Sequence, residues 1–286
     1  MDLTERQRRR QERARQGWTP PGPVPPGDQG DPSLEPRPDE TLDAFAGHWR
    51  IFQLRHGHRY STDDMLAAWY AVTACQDLGL APMRALDLGC GIGSVGMFVA
   101  WRYPELHLTG IEAQQVSLEL ARRSLRYNGL ASRVELRAGD LRTALPEGAF
   151  DLVTGSPPYW DPAAGTLSDR PQKAPCRFEQ RGGVEDYCRA AAAALAPHGL
   201  FALVMDGRQR ERVLASARDA GLALLRIRDV VPREGKAPLM VLAAMRLTGS
   251  GSEAPREEPP LILRDGAGVR TETFREIRRS MGMPPG

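Results

Sequence analysis

From residue 82 onward, short apolar segments alternate with longer helical ones, and this alternation restricts the fold more than any other feature of the chain. The apolar segments predict strands at 84–88, 107–112, 133–137, 150–154, 200–205, 222–230 and 239–246. The segments between them have the spacing of amphipathic helices, at 94–103, 115–128, 183–195 and 209–220. Parallel strands need such helical crossovers. We therefore predict an α/β fold with a doubly wound, Rossmann-like sheet that is mostly parallel and has an antiparallel last strand.

The composition excludes several classes of protein. The 286 residues carry 38 basic and 36 acidic side chains and 41% are hydrophobic, which is ordinary for a globular domain and excludes a collagen or a histone-like basic protein. No run of about 18 apolar residues is present, so we predict no membrane span. The first residues lack the apolar stretch of a secretory signal, so we expect a cytoplasmic location.

The cysteines and histidines indicate neither a disulfide framework nor a metal. The scattered cysteines form no C-x-x-C pair, and we interpret them as small buried side chains. They are Cys75, Cys90, Cys176 and Cys188. His56 and His58 lie close together, but no nearby residue supplies the further ligands of a zinc site. We therefore expect no metal.

Proline and glycine divide the chain into three parts. Residues 1–40 are rich in proline and arginine and have few apolar side chains to offset the entropy of ordering, so we predict a disordered leader. Residues 41–248 contain the strands and helices of the predicted α/β domain. Residues 249–286 are predicted to form a linker, a hairpin with a turn at Asp265-Gly266, and a tail.

A glycine-rich loop follows the first strand of the alternation and precedes its helix. Gly91, Gly93 and Gly96 match the dinucleotide fingerprint G-x-G-x-x-G, which is a weak signal when it stands alone. Asp87 lies at the end of the strand, where a carboxylate would crowd a pyrophosphate but can bind a cation directly or through water. The loop therefore favours a cationic ligand at the carboxyl ends of the strands.

The run Asp87-Leu88-Gly89-Cys90-Gly91-Ile92-Gly93 resembles motif I of class I S-adenosylmethionine (SAM) methyltransferases. Glu112 lies at the end of the second strand, where a carboxylate can accept from both ribose hydroxyls. Asp140 follows the third strand and matches the acceptor of the adenine amine in that family. The resemblance implies SAM as cofactor, held by Asp87, Gly89, Cys90, Gly91, Gly93, Glu112 and Asp140.

The fourth strand leads into Ser156-Pro157-Pro158-Tyr159, which we interpret as the catalytic segment. Proline has no backbone N–H, so the Ser156 hydroxyl and the Pro157 carbonyl can both accept from one –NH₂ group, while Tyr159 offers a flat face for stacking. The segment resembles the [N/D/S]-P-P-[Y/F/W] motif of methyltransferases that act on adenine N6, cytosine N4 or a glutamine amide. Serine is the less common first residue. Cys176 follows a proline, as does the nucleophile of 5-methylcytosine methyltransferases. That nucleophile would have to lie after strand four, where this chain has Ser156–Tyr159, so we reject this role for Cys176.

The segment from His58 to Ala68 resembles the R-Y-S-x-D-S-x-L-L-A element of bacterial tRNA(Val) (adenine-N6) methyltransferases, and further likenesses extend the resemblance over residues 45–275. It implies that Tyr60 and Thr62 help to close the SAM pocket and that the substrate is an RNA, most simply a tRNA. Basic residues in matching segments are candidate phosphate contacts, with solvated surface charge as the alternative. They are Arg59, Arg177, Arg233 and Lys236.

Three functions stay open at this point. The first is methylation of adenine N6 in tRNA. The second is methylation of a release-factor glutamine, of a guanine N2 in rRNA or of a small molecule. Enzymes that act on release factors normally carry a helical N-terminal domain, which residues 1–40 do not resemble. The third is a SAM-fold module without catalysis, which intact glycines and an intact Ser-Pro-Pro-Tyr segment disfavour.

Overall fold

The computed structural model describes residues 17–159, 182–250 and 254–286. The strands are β1 (Glu40–Ala44), β2 (Arg50–Leu54), β3 (Arg84–Leu88), β4 (His107–Glu112), β5 (Val134–Ala138), β6 (Phe150–Gly155), β7 (Leu195–Asp206), β8 (Leu222–Val231), β9 (Met240–Leu247) and β10 (Arg256–Ile262). The helices are α1 (Thr62–Asp77), α2 (Ser94–Arg102), α3 (Gln115–Tyr127), α4 (Val184–Ala194), α5 (Arg210–Asp219) and α6 (Glu272–Ser280). Within these residues, no helix has the length and apolar character needed to cross a membrane.

Strands β3 to β10 form one eight-stranded sheet in the order β10-β8-β9-β7-β6-β3-β4-β5. β9 pairs antiparallel with both β7 and β8, and the other pairings within the sheet are parallel. β3 lies at the switch point of the strand order, between β6 and β4. The predicted fold class is confirmed. In such a sheet, ligands bind beyond the carboxyl ends of the strands at the switch point.

Helices cover both faces of the sheet, so its central strands are apolar on both sides. One buried cluster joins the sheet to α1, α2, α6 and part of α3, and the second joins it to α4 and α5. Leu118, Leu120, Ala121 and Leu125 of α3 are buried. The apolar spacing predicts that Val116 faces inward with them, and this prediction is wrong, because Val116 is 51% exposed.

Residues 27–37 contact α3, although the sequence predicts a disordered leader over residues 1–40. Arg123 of α3 donates from Nε to the Ser33 carbonyl and from Nη2 to the Glu35 carbonyl, at 2.8 and 2.6 Å. Its Nη1 forms a buried ion pair with Glu40, at 2.6 Å, and its guanidinium lies over the Phe52 ring. Leu34 of the same segment is buried in the core, so hydrogen bonds from α3 and apolar burial both hold the segment. Residues 1–16 lie outside the described residues.

The C-terminal part also belongs to the folded body. β10 pairs with β8 at the edge of the sheet, and α6 buries Phe274 and Ile277 in the core. The predicted turn is present, since Asp265 accepts at its carbonyl from Gly268 N, but only one bridge, Arg264 to Arg270, flanks it. The expected hairpin is therefore short, and its first strand is part of the main sheet. The division of the chain into residues 1–40, 41–248 and 249–286 stays a prediction.

Candidate active site

The glycine loop between β3 and α2 takes backbone conformations that favour glycine. Gly89, Gly91 and Gly93 have φ values of +59°, +56° and +83°. A Cβ on Gly89 would lie 2.1 Å from the Tyr187 hydroxyl, so this glycine allows Tyr187 of α4 to pack against the loop. A Cβ on Gly91 would meet nothing within 4 Å, so the backbone at Gly91 borders open space. A ligand can approach the chain closely there.

Asp87 is buried beneath this loop. One carboxylate oxygen accepts from the Thr154 hydroxyl at 2.8 Å, and the other accepts from Gly96 N at 2.9 Å. These contacts join β6 and α2 to β3, and the direct or water-mediated contact of Asp87 with a cationic ligand stays a prediction. Burial, with a contribution from Glu112, raises the pKa of Asp87 to about 7. Its negative charge can still act on a ligand across the loop.

Glu112 joins the loop to the next strand. Its Oε2 accepts from Gly91 N at 2.9 Å and its Oε1 accepts from Gln114 N at 2.6 Å, at the start of α3. The side chain is 7% exposed and therefore lies at the wall of the open space next to Gly91. Cys90, between the two loop glycines, is buried, and burial together with Asp87 and Glu112 raises the pKa of its thiol.

Asp140 lies beside Glu112, because Gly139 N donates to the Glu112 carbonyl at 3.1 Å. Its carboxylate accepts from Nε and Nη2 of Arg142, at 3.0 and 2.6 Å, and from Arg142 N. An adenine amine would therefore share this carboxylate with Arg142 or displace it.

The start of α1 contributes two acidic residues that sequence reasoning did not assign to the site. Asp64 accepts from Ser61 N at 2.7 Å in a capping box and from the Ser94 hydroxyl at 3.0 Å. Burial, Asp63 and Asp87 together raise the pKa of Asp64 to about 8. The Thr62-Asp63-Asp64 run was a visible signal, but it is equally typical of an ordinary helix start.

The segment after β6 lies against these two acids. The Tyr159 hydroxyl donates to Oδ2 of Asp63 at 3.3 Å, and the Tyr159 carbonyl accepts from the side-chain amide of Gln209. Burial, Asp63 and Asp64 raise the pKa of Tyr159, while the Ser156 hydroxyl beside it lowers this pKa. Pro157 is buried, whereas Ser156 and Pro158 are half-buried. The ring of Tyr187 packs against both Gly89 and Gly155, and so connects the glycine loop to this segment.

Comparison with known proteins agrees with this geometry. A family described as the methyltransferase small domain matches residues 75–170. A tRNA1(Val) (adenine(37)-N6)-methyltransferase of Vibrio cholerae is 26% identical over 223 residues, which cover 78% of this chain and 88% of the relative. The chain is a SAM-dependent methyltransferase.

Two further comparisons bear on the methyltransferase. A ribosomal protein uL3 glutamine methyltransferase of Bordetella pertussis is 30% identical over 178 residues, 57% of this chain and 59% of the relative. The crystal structure of a predicted O-methyltransferase from Agrobacterium tumefaciens has a TM-score of 0.58 and 24% identity, and covers 78% of this chain and 98% of that one. This structural similarity shows the fold alone.

The donor set of the methyltransferase fits SAM, which carries a sulfonium and an ammonium. Four acidic side chains surround the pocket, and repulsion between them contributes to the raised pKa values of Asp64 and Asp87. Asp63 and Asp64 also raise the pKa of Tyr159, and Asp87 and Glu112 raise that of the Cys90 thiol. A cation relieves that repulsion. The open space at Gly91 gives the cofactor a place beside Glu112. Among residues 17–159, 182–250 and 254–286, no three potential ligands gather as a metal group.

Two of the predicted site residues, Arg59 and Tyr60, contact the β1–β2 hairpin, and the roles predicted for them and for Thr62 stay predictions. Arg59 pairs with Asp43 at 2.6 Å and donates to the Thr41 hydroxyl and the Leu54 carbonyl, so it joins the β1–β2 hairpin. Tyr60 donates from its hydroxyl to the Ala44 carbonyl at 2.8 Å. Its ring packs against Phe45, so Tyr60 anchors the hairpin. Thr62, half-buried, is the first residue of α1 and precedes Asp63.

Two further basic candidates, Arg233 and Lys236, lie on the loop between β8 and β9. β8 runs parallel to β7, because both are antiparallel to β9, so this loop is at the same edge of the sheet as the glycine loop. Lys236 is exposed, and Arg233 donates from Nη2 to the Gly266 carbonyl of the C-terminal turn. Arg177 lies outside the described residues.

Proposed function

We propose that the methyltransferase transfers the methyl group of SAM to an exocyclic amine, namely adenine N6 in tRNA. The observation that carries the proposal is the position of Ser156-Pro157-Pro158-Tyr159 at the end of β6, next to the acidic pocket at the switch point. The relative in Vibrio cholerae, named for this reaction, supports it over 88% of its length. A cytoplasmic location and an RNA partner form part of the proposal.

The reaction needs positioning more than acid–base chemistry. SAM supplies, when bound, an electrophilic methyl group on a positively charged sulfur. The Ser156 hydroxyl and the Pro157 carbonyl accept hydrogen bonds from the two N–H bonds of the amine, which frees the nitrogen lone pair from conjugation and directs it at the methyl group. The C–N bond would form as the methyl–sulfur bond breaks, a neutral thioether would leave, and the nitrogen would lose one N–H proton to solvent. Tyr159 stacks on the base and holds it in place. The combined negative charge of Asp63, Asp64, Asp87 and Glu112 favours binding of the cationic cofactor.

An adenine must leave its stack to reach such a pocket, which is easiest in a single-stranded loop. Lys236 and Arg233 lie at the edge of the sheet where the rest of the tRNA would extend, and are our candidates for phosphate contacts. Glu112 is our candidate for the ribose hydroxyls and Asp140 for the adenine amine of the cofactor. Asp87 acts on the cofactor through the conformation of the loop.

A glutamine amide is the second candidate substrate. The relative in Bordetella pertussis, named for a ribosomal protein glutamine, supports it, although over a smaller share of both chains. The same hydrogen-bond acceptors would hold a planar amide nitrogen, so the site geometry admits both substrates.

The experiment that tests the proposal uses tritium-labelled SAM with separate pools of unmodified tRNA, rRNA and ribosomal protein with release factor. We expect label in tRNA, recovered as N6-methyladenosine after digestion to nucleosides. Tyr159→Ala is the control, because it should bind SAM with unchanged affinity and methylate nothing. Label confined to protein would replace the proposal with the glutamine alternative, and label in guanine would exclude adenine N6.

A further inference from the structure

Tyr159 is held at both ends by residues outside the Ser-Pro-Pro-Tyr segment. At one end, its hydroxyl donates to Asp63 of α1 at 3.3 Å. At the other, its carbonyl accepts from the Gln209 side chain, at the end of the turn before α5. The first contact fixes where the hydroxyl end of the ring lies, and the second restricts the peptide plane from which the ring projects. Together they fix the position of the ring on which an acceptor group would stack.

Gln209 is itself oriented by a chain of charged contacts. Its Oε1 accepts from Nη1 of Arg212 at 2.8 Å, so the amide nitrogen must point toward Tyr159. Arg212 in turn makes two contacts of 2.7 Å with the Glu185 carboxylate, at the start of α4. The Arg212 partner lowers the pKa of Glu185. Two helices on one face of the sheet thus determine which way the Gln209 amide faces.

Asp63 and Asp64 are adjacent but have separate partners. Asp64 is 7% exposed and is occupied by Ser61 N and the Ser94 hydroxyl. Asp63 reaches the Tyr159 hydroxyl instead. The two acids therefore divide the tasks of capping α1 and of holding Tyr159.

We propose that Asp63 and Gln209 are positioning residues that hold Tyr159 for stacking on the methyl acceptor, Asp63 through the hydroxyl and Gln209 through the backbone carbonyl. The proposal rests on the proposed function, because it takes Tyr159 as the residue that stacks on the substrate. It adds two residues from α1 and the α5 turn to the substrate side of the site.

The first test measures kcat at saturating SAM with an in-vitro transcribed valine tRNA. We expect Asp63→Ala to lower kcat by about 10- to 100-fold, because small misplacements of a reacting group have effects of this size. Asp63→Asn keeps an oxygen acceptor for the hydroxyl and should restore most of the rate. Tyr159→Phe lacks the hydroxyl, so Asp63→Ala should lower its rate no further. Equal losses in Asp63→Ala and Asp63→Asn, or additive losses in the double variant, would overturn the role of Asp63.

The second test separates the two contacts of Gln209. Gln209→Glu keeps an acceptor for Arg212 and loses the N–H donor to Tyr159, so we expect kcat to fall while SAM affinity stays unchanged. Glu211→Gln, on the exposed side of α5, is the matched control and should keep the full rate. Full activity of Gln209→Glu would overturn the role of Gln209.

The third test is independent of any substrate. With 3-fluorotyrosine incorporated at position 159, the ¹⁹F signal reports the titration of its phenol. Asp63 raises the pKa of Tyr159 through its charge and its hydrogen bond, so Asp63→Ala should lower the pKa of the labelled phenol. An unchanged titration would overturn the positioning proposal even if tRNA is methylated. A lowered pKa without methylation of tRNA by the unsubstituted enzyme would leave the contact standing and overturn the proposed function.

Discussion

Binding of SAM at pH 7 is expected to release protons from the methyltransferase. Burial raises the pKa of Asp87 to about 7 and, together with Asp63 and Asp87, raises the pKa of Asp64 to about 8. Part of each carboxyl population is therefore protonated in the free enzyme at neutral pH. A bound cation favours the ionised forms and lowers both pKa values. Protons leave on binding, so the affinity for SAM must rise with pH.

The structure sets the size of this effect. Asp87 is roughly half protonated at pH 7 and supplies about 0.5 proton if the cofactor ionises it fully. Asp64 is mostly protonated at that pH and supplies up to about 0.9 proton. The expected release is therefore about 0.5 to 1.4 protons per SAM. The α-amino group of SAM is largely protonated at pH 7 and changes this number little.

Calorimetric titration with SAM at pH 7, in buffers of different ionisation enthalpy, measures the number of protons released. Asp64→Asn cannot titrate at this position and should release fewer protons than the unsubstituted enzyme. Asp219→Asn removes the same charge from an exposed site at the end of α5 and should release as many as the unsubstituted enzyme. A release indistinguishable from zero, or an unchanged release in Asp64→Asn, would refute the argument that the pocket acids are ionised by the cofactor.

Two further predictions concern the fold around the site. Arg123→Met leaves Glu40 buried without its partner and should lower the free energy of unfolding by about 3–5 kcal/mol in urea titrations. Arg126→Met removes an exposed ion pair and should lower this free energy by at most about 1 kcal/mol. Equal effects of the two substitutions would contradict the packing of residues 27–37 on α3. Gly89→Ala should destabilise the loop and abolish SAM binding in calorimetry, because its Cβ would overlap the Tyr187 hydroxyl, and retained affinity would show that Tyr187 does not pack there.

The sheet was predictable because its signals are local. The bounds of β3 and β4, Arg84–Leu88 and His107–Glu112, agree with the sequence because each strand has a buried apolar centre and is followed by a glycine or ends at an acidic residue. The motif residues of the glycine loop and of the Ser-Pro-Pro-Tyr segment could be found for the same reason, since the loop directly follows β3 and the segment directly follows β6.

The parts that were missed depend on contacts between distant residues. β1 and β2 are held by the Glu40–Arg123 pair and by the Asn128 amide, which donates to the Arg50 carbonyl, and neither contact has a local signal. The sequence places Asp87 at the end of a strand but does not show its partners within the fold, such as Thr154, 67 positions away. Tyr187 reaches the site from α4 and Gln209 from the turn before α5, so no spacing in the sequence marks them.

The start of α1 explains how the cofactor side and the substrate side of the site are connected. Consecutive residues on a helix point about 100° apart, so Asp63 and Asp64 can face different halves of the site from one turn. Asp64 reaches Ser94, at the start of α2 behind the glycine loop, and Asp63 reaches Tyr159. Both acids raise the pKa of the Tyr159 phenol. The Tyr159 hydroxyl is therefore protonated at neutral pH, which is the form that donates to Asp63. One turn of α1 thus contacts the helix that follows the glycine loop through Asp64 and the stacking ring through Asp63.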